Sequence, residues 1–158
     1  VKSNSADFKA LAITHLLDDG SLVIGHGELS HDSTEIFMGR VADLVPTSEI
    51  YWYCDAAEED RTFELQQVYG PVITGLRSQG KLCNAQNMAI HWNRGKIFVP
   101  DEWRKEDNSP LTQILRFTGH EGTHDDFVDA LSVAIDQLTG RDYSATASID
   151  LVSAFLAA

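Results

Sequence analysis

The segment that most constrains the fold is DFVDALSVAIDQLTG, residues 126 to 140. Phe127, Leu131, Ala134 and Leu138 recur at helical spacing, and Gly140 supplies a stop. The spacing predicts an amphipathic helix whose buried stripe runs through those residues. Such a stripe needs another element to cover it, so the remainder of the chain has to supply one.

The remainder offers strands first. Residues 10 to 17, ALAITHLL, are followed by DDG and then SLVIGHGEL, the pattern of two strands joined by a tight turn. In STEIFMGRVADLV, residues 33 to 45, Ile36, Phe37, Val41, Leu44 and Val45 are spaced as in a helix. Ser33 or Thr34 provides its N-cap, and Pro46 lies just past its end. EIYWYCD, ending in Asp55, reads as a buried strand, and EEDRTFELQQVYG as a helix stopped by Gly70. PVITGL is a weaker strand and KIFVP a firmer one, while SPLTQILRF is a short helix opened by Ser109 and Pro110. The tail SIDLVSAFLAA, apolar at Ile149, Val152, Phe155 and Leu156, predicts a last helix. With no repeat, low-complexity tract or linker, this order predicts one mixed α/β domain over residues 1–158.

Composition bounds the function classes. Apolar residues make up 43% of the chain and charged ones 23%, the balance of a soluble globular domain. No run approaches the ~20 apolar residues of a membrane span. The N-terminal VKSNSADFK has no hydrophobic signal region, and Cys54 and Cys83 make no disulfide framework. The expected setting is therefore a reducing cytoplasm. The net charge of −12 weighs against a general nucleic-acid binder. From Leu65 to Pro100, however, there is no Asp or Glu, while Arg77, Lys81, Arg94 and Lys96 fall there. That distribution predicts one locally basic surface on an acidic domain.

Residues 119 to 129, GHEGTHDDFVD, pose the chemical question. HEGTH matches the HExxH zinc pattern, which needs both histidines on one helical face. Gly119 and Gly122 flank and split it, and glycine costs ~1 kcal/mol per helix position against alanine. HEGTH is therefore expected on a loop, with Thr123 or Asp125 capping the helix that follows. The carboxylates fit a site better. Asp126 and Asp129 lie one helical turn apart with Asp125 beside them. The helix dipole accounts for one or two first-turn acids. A third suggests a hard, oxygen-rich site suited to Mg²⁺ or Mn²⁺. Asp55, at the exit of a buried strand, either caps the next helix or joins these acids around a metal pair.

THDDFVDALSVA, preceded by an apolar helix ending in Phe117 and a glycine-containing loop, resembles the end of the nuclease domain of tailed-phage terminase large subunits. ADFKALAITHLL with DDGSLVIGHGEL is similar to that domain's early strands, YWYCDAAEEDRTFELQQVYG to its second acidic strand and helix, and KIFVPDEW to its late strand. The similarity runs over about residues 5 to 140.

The resemblance implies a ribonuclease H-like fold, a central mixed β-sheet flanked by α-helices. It also implies metal-dependent cleavage of concatemeric double-stranded DNA during genome packaging. Asp55, Asp125 and Asp126 would be catalytic, Asp129 would join them as a metal ligand, and His124 and Asp7 would support the site. Arg77, Lys81, Arg94 and Lys96 would face DNA and position its phosphates. Two Mg²⁺ or Mn²⁺ ions are the implied cofactors. The implied partners are DNA, the terminase ATPase domain, the small terminase subunit and the portal protein, in the host cytoplasm. No Walker A phosphate loop is present, so no ATPase domain is expected here. The family's metal-bridging first Asp would lie ahead of Val1, and Asp7 matches a later acid of the pattern. The alternative expectation is thus a catalytically impaired relative acting as a DNA- or protein-interaction module.

Overall fold

The structure, a computed structural model, describes residues 8–45, 81–120 and 124–140. The expected hairpin forms β1 (Lys9–Leu16) and β2 (Leu22–Ser30), paired antiparallel. Its turn closes through Leu17 N–H to Ser21 O at 2.8 Å and Gly20 N–H to Leu17 O at 2.9 Å. Gly20 takes φ 82°, a left-handed value that suits glycine, and Asp19 Oδ1 accepts from Ser21 N–H at 2.8 Å.

The pairing slips once. Ile13 faces His26 and Thr14 faces Ile24, so Gly25 is the extra residue of a β-bulge. The slip changes which residues of β2 face the main core. Leu22 and Ile24 face it before the bulge, Gly27 and Leu29 after it. On β1, which has no extra residue, Ala10 and Ala12 face that core while Leu11 faces a second cluster around Phe37, Met38 and Val41. This alternation places helices on both sides of the hairpin.

Helix α1 (Thr34–Leu44) supplies the second cluster and is capped by Ser33, whose hydroxyl accepts from Ile36 N–H at 3.4 Å. On the opposite face lies the long C-terminal helix of the described chain, α5, treated below. Between them come α2 (Lys81–Asn84) and α3 (Gln86–Asn93), a helical stretch that the sequence pattern did not suggest. β3 is only Ile97–Phe98, shorter than the KIFVP strand expected, and pairs parallel with Leu22 and Val23 of β2. Pro100 follows and a 3-10 turn, Asp101–Arg104, begins at once, which cuts the strand short. The sheet is thus mixed, in the order β1-β2-β3.

Helix α4 (Pro110–Arg116) opens where expected, with Pro110 in its first turn. Ser109 precedes it without capping, because its hydroxyl donates to Trp103 O at 2.8 Å. Helix α5 (Asp126–Thr139) ends at Gly140, φ 66°, as the sequence predicts. Its buried stripe needs correction. Phe127, Val128, Leu131, Ser132, Ile135 and Asp136 are buried, with Val133 buried beside them, whereas Leu138 is 38% exposed and Ala134 is only partly covered. The covered face follows the i, i+1, i+4, i+5 positions because sheet and α3 together cover a wide arc.

Asp136 is drawn inward by Asn87 of α3, whose Nδ2 donates to Asp136 Oδ1 at 2.9 Å and to Thr139 Oγ1 at 2.8 Å. Where α5 crosses β2, Phe127 and Trp103 meet edge-to-face, 5.4 Å between centroids, directly over Gly27. A Cβ there would lie 2.7 Å from the Trp103 ring and 2.8 Å from Phe127, so the close approach requires glycine. The described chain is a mixed α/β unit in which the hairpin carries α5 on one face and α1 on the other.

The expected strand ending in Asp55, the helix stopped by Gly70, the PVITGL strand and the tail helix all lie outside the described residues. Among the described residues no helix is long and apolar enough to cross a membrane.

Candidate functional site

The first turn of α5 carries the acids. Asp125 holds the N-cap position with φ −135° and ψ 14°, and its carbonyl accepts from Asp129 N–H at 3.0 Å. Its side chain makes no capping bond. The amide that an N-cap side chain ordinarily serves, Phe127 N–H, donates instead to Gln113 Oε1 of α4 at 2.8 Å. Gln113 is itself buried, so this bond is shielded from water. Gln113 is a site residue that sequence reasoning missed; a glutamine set among Leu111, Ile114 and Leu115 of a short helix was the available signal.

Asp125 is 5% exposed, and Asp126 and Asp129 are partly buried. The Oδ2 atoms of both Asp125 and Asp126 are sealed from solvent. Carboxylate oxygens removed from water call for compensating contacts. Asp126 and Asp129 also sit where the helix dipole favours negative charge.

His120 and His124 both lie outside the helices, and α5 begins only at Asp126. Gly119 takes φ 74° just before His120, a left-handed turn that no continuous helix accommodates. HEGTH therefore does not present its histidines from one helical face. His124 packs its ring edge-on against Phe8, centroids 5.5 Å apart, at the open end of the β1–β2 hairpin.

Of the four basic residues, Arg94 and Lys96 lie on other elements. Arg94 ends α3, and Lys96 leads into β3, where its Nζ reaches Asp19 O at 3.5 Å beside the hairpin turn. From Lys9 to Leu16 the strand spans about 23 Å at ~3.3 Å per residue. The structure therefore brings His124, Asp125, Asp126 and Asp129 together at one end of the hairpin and sets Lys96 at the other. Lys81 opens α2, while Asp7, Asp55 and Arg77 lie outside the described residues.

Near the acid end, Arg40 of α1 bonds Glu28 of β2, and also Asp32 at 2.5 Å. The Ser30 hydroxyl and the Arg40 guanidinium hold the Asp32 carboxyl below its ordinary value, and Asp32 in turn raises Arg40. On α3, burial pushes His91 down, with Arg94 adding to the effect and Asp136 opposing it.

Among the described residues no group of three or more His, Cys, Asp or Glu side chains gathers closely enough to hold a metal ion. The α5 acids offer hard oxygen donors, so a divalent cation held there would draw its further ligands from elsewhere in the chain. No protein-family model matches the chain, and neither a curated protein nor a solved structure matches it.

Proposed function

We propose that the chain is a metal-dependent DNA endonuclease domain of terminase large-subunit type, with a ribonuclease H-like fold. The observation that carries this reading is the division of labour at the start of α5. Gln113 serves the helix amide, and the buried carboxylate at the cap position does not. Helix capping therefore does not account for Asp125, although the helix dipole still favours Asp126 and Asp129. The hairpin with helices on both faces is compatible with the fold.

Asp125 and Asp126, with Asp129 about one helical turn further on, present carboxylate oxygens at one edge of the domain. Asp55 would complete the set. His124, beside Asp125 in the chain, would support the site at its edge. When bound, Mg²⁺ or Mn²⁺ supplies water activation and stabilisation of the leaving oxygen. The protein's own part is to fix the carboxylates on the rigid start of a buried helix and to bring a DNA phosphate against them. The net charge of −12 favours a second reading, an interaction module of the same fold without cleavage.

Mn²⁺ titration by calorimetry, with plasmid nicking on the same sample, separates the two. Two-site binding with nicking that Asp126→Asn abolishes is the expected result. Nicking unchanged in Asp126→Asn removes that residue from the site. Neither binding nor nicking leaves the interaction module.

A further inference from the structure

Of the residues that composition suggests for DNA, Lys96 lies beside the hairpin turn, far along β1 from the acids. The described groups beside the acids are different. Phe8, immediately ahead of β1, stacks on His31 with centroids 4.0 Å apart and planes tilted by 35°. The same ring meets His124 edge-on at 5.5 Å and 82°. One residue thus joins the end of β2 to the approach of α5. Phe8 is partly buried and both imidazoles are exposed.

The surrounding carboxylate is already engaged. Asp32, next to His31, accepts from Arg40 at 2.5 Å and from Ser30 Oγ at 2.8 Å. Among the described residues no hydrogen bond or ion pair occupies either imidazole. Ring nitrogens held at fixed positions on an apolar support are donors suited to phosphate oxygens. Lys9 follows Phe8 in the chain and adds positive charge near Asp32.

We infer that His31 and His124, braced by Phe8, form a phosphate-contacting rim for the DNA backbone next to the α5 acids. The ligand's identity rests on the nuclease reading above; the rim itself rests on the ring geometry. His31 has no place in the sequence pattern of acids and is a binding residue rather than a catalytic one.

The test is binding of a short fluorescent DNA duplex to the full chain in EDTA, so that affinity is read without hydrolysis. His31→Ala and His124→Ala are expected to weaken binding several-fold with unchanged thermal melting. His31→Arg, which keeps a phosphate donor, is expected to restore it. Phe8→Leu keeps both histidines but removes the shared ring, and is expected to weaken binding as well. Wild-type binding that His31→Ala leaves untouched, while Lys96→Ala reduces it, overturns the rim and spares the nuclease reading. A wild-type chain that binds no duplex in EDTA overturns the rim, and the Mn²⁺ titration with nicking then decides the nuclease reading separately.

Discussion

Helices α1 and α5 begin in opposite ways. At α1 the residue next to the first turn does the capping, Ser33 to Ile36 N–H, with partners three positions apart and exposed to water. At α5 the cap-position side chain makes no such bond, and the amide of Phe127 is served by Gln113, fourteen positions earlier and on another helix. A start closed by its neighbours can form as soon as the local chain does. A start closed by a remote side chain forms only when α4 and α5 have docked. In return, its own acids are not required for capping.

The contrast can be broken from the α5 side first. Phe127→Ala removes the ring that packs with Trp103 over Gly27, and is expected to cost ~3–5 kcal/mol in urea unfolding. A loss below about 1 kcal/mol would show that α5 is not anchored at its first turn. Gln113→Ala leaves the shielded Phe127 amide without its acceptor, with an expected loss of ~1–3 kcal/mol. Ser33→Ala touches an exposed cap, so ~0.5–1 kcal/mol is expected. Were Ser33→Ala to cost more than Gln113→Ala, the comparison would be reversed.

The smallest effect lies in acid, just before α1. Asp32 titrates below its ordinary value in the folded chain, so its contribution is present above pH 3.8 and is lost as pH falls through its folded value. Asp32→Asn should therefore lower the neutral plateau slightly and flatten the acid limb of a pH–stability curve, the variant and wild-type curves converging at low pH. An acid limb identical to that of the wild type would show that the Ser30–Asp32–Arg40 bonds do not stabilise the fold.

The same distinction separates what the sequence made legible from what it did not. The hairpin, α1, α4 and the extent of α5 were readable because turn residues, caps and periodicity lie within a few positions of one another. The stretch from Lys81 to Asn93 was not readable as helix. Gln86, Asn87 and Asn93 interrupt its apolar pattern, and two of its partnerships, Asn87 with Asp136 and Met88 with Ser132, are made across to α5. Leu138 was assigned to the core by spacing alone, whereas Asp136 is buried because Asn87 receives it. At the candidate site the acids of α5 were evident as a cluster. Gln113, Phe8 and His31 were not, since each reaches the site through three-dimensional packing rather than spacing.

The bulge at Gly25 keeps the count of the hairpin. Leu22 and Ile24 occupy even positions and Gly27 and Leu29 odd ones, yet all four face α5. They do so because Gly25 is the one residue of this stretch that the pairing with β1 skips, like a silent beat that shifts the rhythm after it. Were the same residues paired without that skip, His26 and Glu28 would point under α5, and Gly27 and Leu29 toward α1. Both the bed for Phe127 and the Arg40 tether to Glu28 would be lost in one step. Deleting Gly25 itself would remove the skip and leave the acid-bearing helix on its support.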